Sequence, residues 1–85
     1  MLSFHYVITD EIGIHARPAA ILAKEAEKYK SRIVIKNEKE AVEATNLMEV
    51  MGLEAKCGQT VKVEVSGTDE DTAYEAIKAF FETNL

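Results

Sequence analysis

A chain of 85 residues and 9.4 kDa has room for one hydrophobic core, so residues 1–85 are expected to form a single domain. Apolar residues make up 47% and charged residues 29%, which excludes a disordered chain, and no apolar run approaches the ~20 residues of a membrane span. The net charge is −5 with a pI near 5.0, and basic residues gather only at Lys24, Lys28, Lys30 and Arg32, which argues against a nucleic-acid partner.

Leu2 to Thr9 alternates, with Phe4, Tyr6 and Ile8 on one face and His5, Val7 and Thr9 on the other, as in a half-buried strand. The opening MLSFHYVITDE lacks a basic stretch followed by a long apolar one, so no secretory leader is expected. Asp10 to Gly13 is a loop. Ala16 to Tyr29 then places Pro18, Leu22, Ala26 and Tyr29 on one helical face, beside Ala19 and Ala23. RIVIK at 32–36 is a strand with Ile33 and Ile35 inward, Asn37 to Lys39 turn, and Glu40 to Ala44 return as a short strand. Asn46 is a good N-cap with Glu49 three residues on, so NLMEVMGL reads as a short helix that Gly52 weakens or ends. Cys57, just before Gly58, reads as a loop thiol; it is the only cysteine, so no internal disulfide can form, which suits a reducing cytoplasm. TVKVEVSG at 60–67 is the clearest strand. Thr68 with Asp71 predicts a capping-box start for a helix from Asp69 to about Thr83, buried through Ala73, Ala76, Ile77 and Phe80.

The order β-α-β-β-α-β-α, with strictly alternating strands, calls for a sheet with one covered and one wet face. The expected fold is α+β, a two-layer open-faced sandwich: a four-stranded antiparallel sheet covered on one face by three helices.

The stretch GIHARPAA, residues 13–20, carries the chemistry. Pro18 suits the first turn of a helix, which puts His15 at or beside the N-cap. There the N–H groups of Ala16 and Arg17 lack helical partners and form an anion site, and the Arg17 guanidinium adds a fork that matches phosphate oxygens. Gly13 would let the preceding loop take a positive φ. A cation in the first turn opposes the helix dipole, and an anionic ligand would account for Arg17. From these residues alone, an exposed loop histidine beside a solvated arginine is an equal alternative. A hydrolytic triad has no matching nucleophile and acid. A zinc site from His5, His15 and Cys57 lacks any close-spaced ligand pair, so neither metal nor cofactor is expected. His5 reads as a wet-face strand residue.

GIHARPAA resembles the signature Gly-(Leu/Ile)-His-(Ala/Thr)-Arg-Pro-Ala of the HPr family, the histidine-containing phosphocarriers of the bacterial phosphoenolpyruvate:sugar phosphotransferase system. Length, element order, the LMEVMGL helix and the final helix extend the likeness over the whole chain. The resemblance implies that His15 takes a phosphoryl group on Nδ1 from phosphorylated enzyme I and passes it to IIA domains of sugar permeases. Arg17 would steady the group, and Leu47, Met48 and Met51 would dock the partners. Val50 is then the core residue of that helix. A carrier that must show His15 to two partners is most simply a monomer.

Family members that are regulated by a serine kinase carry serine where this chain has Asn46, so that branch is expected to be absent, and the role is not moved to Thr45. Glu49 and Glu54 stand where glycine is common in the family, adding negative charge beside the docking helix. Two other readings stay open at this point. One is a binding regulator on the same scaffold, although such paralogues lack the histidine. The other is a ferredoxin-like small-molecule domain, which the short middle helix and extra final helix disfavour.

Overall fold

The computed structural model describes residues 1–85. In chain order it contains β1 (Leu2–Val7), α1 (Ala16–Glu27), β2 (Arg32–Lys36), β3 (Ala41–Glu43), α2 (Leu47–Gly52), β4 (Thr60–Ser66) and α3 (Glu70–Asn84). The strands form one antiparallel sheet in the order β1-β4-β2-β3. Alternation dictates which face is covered. Val61, Val63 and Val65 of β4 are buried together with Ile33 and Ile35 of β2, while Lys62 and Glu64 look out from the open face. On that open face Glu64 lies between Lys36 at 2.9 Å and Lys62 at 3.4 Å.

The helices supply the second layer. Pro18, Ala19, Leu22, Ala23 and Ala26 form the buried side of α1. Four of these are small, which lets α1 lie close to its neighbouring helices α2 and α3. α2 packs on β3 and α1, and α3 on β1, β4 and α1.

Element ends differ from the sequence reading by a residue or two. β1 stops at Val7, yet Ile8 remains buried and its N–H reaches the Gln59 carbonyl at 2.9 Å. α1 ends at Glu27, and Tyr29, beyond it, donates its hydroxyl to Glu25 at 3.2 Å. β3 is only Ala41–Glu43, although the Ala44 N–H still bonds the Ile33 carbonyl at 2.9 Å.

The start of α3 is a correction. Its N-cap is Asp69 rather than Thr68, and no side chain caps the helix. The Asp69 carboxylate instead accepts from the N–H groups of Lys30 at 2.8 Å and Ser31 at 2.9 Å and from the Ser31 hydroxyl. A tertiary need outcompetes the local cap: the Ser31 side chain is buried, and its polar groups require an acceptor. These bonds, led by that from the Ser31 hydroxyl, hold the Asp69 carboxyl below its ordinary value. The stripe of α3 is also turned toward β1. Phe81 is fully buried, with its ring edge-on to Phe4 at 5.7 Å and Tyr6 at 5.5 Å, while Ala76 is only half-buried.

Candidate functional site

The loop from β1 into α1 is tied down at both ends. The N–H groups of Thr9 and Asp10 bond the Leu85 carbonyl at 2.7 and 2.8 Å, and the Thr9 hydroxyl joins them at 3.0 Å. Asp10 then turns the chain on itself, its Oδ1 accepting from the Ile12 N–H at 2.9 Å and its carbonyl from the Gly13 N–H at 3.0 Å. Gly13 follows at φ 83°, pressed against the backbone of Ala55 and Lys56. The next N–H, of Ile14, bonds the Ala55 carbonyl at 2.9 Å, and the Ile14 side chain is buried.

Through this sequence of contacts His15 reaches the N-cap of α1 with extended backbone, φ −116° and ψ −177°. Its carbonyl accepts the Ala19 N–H at 3.0 Å, as an N-cap should, but its imidazole caps nothing. The ring is half-exposed and free of hydrogen bonds within the chain, while Ala16 and Arg17 are exposed, and their N–H groups find no acceptor. Arg17 forms no ion pair, and no acidic residue occupies the first turn of α1. The result is an open surface with an imidazole, two unpaired N–H donors and an unpaired guanidinium, arranged for an anion that is not part of the chain.

No pocket encloses this group. The sizeable hollow, about 720 Å³, lies between the β2–β3 turn and the α2–β4 connection and is lined by residues including Glu38, Glu54 and Lys56, with neither His15 nor Arg17 among them. His5 is well away in role: it stands on the exposed side of β1 opposite Lys62. Cys57 is exposed, its thiol 3.8 Å from the Thr9 carbonyl.

In α2 the Asn46 side chain accepts from the Glu49 N–H at 3.1 Å. The reciprocal half of the capping box is missing, because the Glu49 carboxylate meets the Glu43 N–H at 3.4 Å instead. Val50 is fully buried, as the sequence implies. Met48 is 75% and Met51 36% exposed, whereas Leu47 is half-buried against the core and offers only part of its side chain. Two apolar residues escaped the sequence reading: Ile12, 69% exposed in the loop before His15, and Ile21, 47% exposed on α1. Ile21 was legible in principle, since four residues after Arg17 it falls on the same outward helical face.

Comparison with known proteins identifies the family and the fold. A family model described as "PTS HPr component phosphorylation site" matches residues 2–83. The phosphocarrier protein HPr of Mycoplasma capricolum is 44% identical over 79 residues, covering 92% of this chain and 88% of that protein. A mycoplasma histidine-containing phosphocarrier protein of known structure superposes with a TM-score of 0.90 at 39% identity, over 93% of this chain and 90% of the other. HPr from Thermoanaerobacter tengcongensis gives 0.91 at 32% identity, over 98% and 93%. No helix here is long and apolar enough to cross a membrane. The chain therefore belongs to the HPr family, the phosphocarriers of the phosphotransferase system.

Proposed function

We propose that this chain accepts a phosphoryl group on Nδ1 of His15 from phosphorylated enzyme I and delivers it to IIA domains of sugar permeases, in the cytoplasm. The observation that carries this reading is the unpartnered imidazole of His15 beside the free N–H groups of Ala16 and Arg17. In the forward step the Nδ1 lone pair attacks phosphorus while the bond from phosphorus to the donor enzyme breaks. Nε2 keeps the ring proton. The incoming phosphoryl oxygens then face the helix N-terminus and the Arg17 guanidinium, which hold the dianion. In the second step the N–P bond breaks as the acceptor's bond to phosphorus forms. Because the site is open, each partner completes the transfer geometry itself.

Met48 and Met51, with part of Leu47, form the apolar footing for both partners, and flexible thioethers suit a surface that must fit two different proteins. Asn46 has no hydroxyl to phosphorylate, so a serine-directed HPr kinase with ATP is expected to leave the chain unmodified, at Thr45 as elsewhere.

Intact mass after incubation with enzyme I, phosphoenolpyruvate and Mg²⁺ tests the carrier reading. An acid-labile gain of ~80 Da in the wild type, absent in His15→Ala, supports it. No gain with an enzyme I from the same organism overturns it.

A further inference from the structure

We infer that Gly52 determines how closely the phosphoryl donor docks, a role that rests on the carrier reading: its bare Cα lets the surface of phosphorylated enzyme I lie in direct contact with α2 beside Met48 and Met51. Of the four glycines, Gly13, Gly58 and Gly67 hold positive φ, so their turns favour glycine. Gly52 does not. It is the last residue of α2, and a Cβ built on it would meet nothing within 4 Å. Neither the backbone conformation nor the packing of this chain calls for glycine there, and within a helix glycine is less favourable than alanine. The residue that turns the chain out of α2 in the left-handed conformation is Glu54, at φ 53°, one position past the C-cap Leu53. Glycine would suit that position, yet the chain carries it two residues earlier. Two local preferences are broken within three residues, both against folding stability, and such breaks mark places where function decides the residue.

Gly52 continues the docking face. Met48, Met51 and Gly52 stand at i, i+3 and i+4, the spacing of one side of a helix. All three are exposed, while Val50, on the opposite side of α2, is fully buried. Next to Gly52 the surface falls away into the hollow of about 720 Å³ that reaches the β2–β3 turn, and Gly52 is among the residues that line it. A partner that covers the two thioethers therefore passes directly over Gly52, and no side chain of this protein stands in its way.

The contact is sensitive to one methyl group. Dispersion attraction falls steeply with distance, and a gap of about 0.5–1 Å forfeits a quarter to a half of it for each pair of atoms held apart. A side chain at position 52 would lift the partner from Met48 and Met51 as well as from itself. The same alanine that strengthens the isolated helix therefore weakens docking. The loss falls on association rather than on transfer, because Gly52 carries no group that could act on phosphorus, and His15 and Arg17 belong to the start of α1.

The test uses the full chain as substrate of enzyme I with phosphoenolpyruvate and Mg²⁺, with initial rates against chain concentration giving KM and kcat. Gly52→Ala is expected to raise KM about fivefold and Gly52→Gln about tenfold or more, as overfilling of a close contact does, with kcat within about twofold of wild type. The urea midpoints of both variants are expected to be no lower than that of the wild type, which separates docking from folding. Thr72→Gln places the same side chain on the exposed start of α3, next to the segment where Asp69 meets Lys30 and Ser31 beyond the far end of α1, and is expected to leave KM unchanged. A KM for enzyme I that stays at the wild-type value in both Gly52 variants overturns this role, and so does a KM raised only for transfer to a IIA domain. A wild type that takes no phosphoryl group on His15 overturns the carrier reading and this role with it, so the two failures are told apart.

Discussion

Gly13→Ala is the substitution whose cost the structure defines best. Gly13 holds φ at 83°, a region in which a side chain costs about 1 kcal/mol or more. The added Cβ would land on the Ala55 carbonyl oxygen and 2.8 Å from the Lys56 Cα, both parts of the backbone that cannot swing aside. Relief requires the 10–14 loop to separate from the 55–58 segment, which strains or breaks the Ile14 to Ala55 hydrogen bond, worth about 1 kcal/mol. The sum is roughly 2–3 kcal/mol, or roughly 10–20 °C in Tm for a domain of this size. Urea unfolding followed by circular dichroism measures it, and Gly52→Ala is the control. Gly52 lies in α2 with nothing within 4 Å of its would-be Cβ, so alanine there is expected to stabilise by about 0.5–1 kcal/mol. Because the same contact sets the position of His15, Gly13→Ala is also expected to slow phosphorylation by enzyme I at temperatures where the protein is folded. A Gly13→Ala protein within 0.5 kcal/mol of wild type would refute the reasoning about this contact.

Glu54 is the only residue other than glycine with positive φ, 53°, so Glu54→Gly should raise stability by up to about 1 kcal/mol in the same urea assay. Asp69 has its carboxyl held below its ordinary value of 3.8, so the stability it contributes is present above that pH and is lost as pH falls through the lower folded value. The gap in urea midpoint between wild type and Asp69→Ala should accordingly be wide at pH 7 and narrow progressively as the pH falls below 3.8. Phe81→Ala empties a fully buried site in the aromatic cluster and should cost about 3–5 kcal/mol, with loss of near-ultraviolet dichroism at moderate temperature. Asn46→Ala removes the cap on the Glu49 N–H and should cost about 1 kcal/mol, read in the same unfolding series.

Much of this protein was already determined by its sequence. Period-two alternation in β1, β2 and β4 decides which face of each strand is buried, because a one-residue error would invert every side chain. Pro18 after His15 places the helix start within a residue, since proline lacks the N–H that later helical positions must donate. That is enough to put His15 and Arg17 together at one helix end.

What local pattern could not decide is whatever depends on a distant neighbour. Asp69 abandons its own helix to satisfy Lys30 and Ser31, 39 and 38 residues away in sequence. Phe81 is buried rather than Ala76 because β1 lies on that side of α3. Gly13 is obligatory because the backbone of Ala55 and Lys56 crosses over it, and the strand order alone leaves the uncharged β1 at an edge. Periodicity reports which side of an element is apolar; only the packed chain brings together residues far apart in sequence, and those contacts position His15.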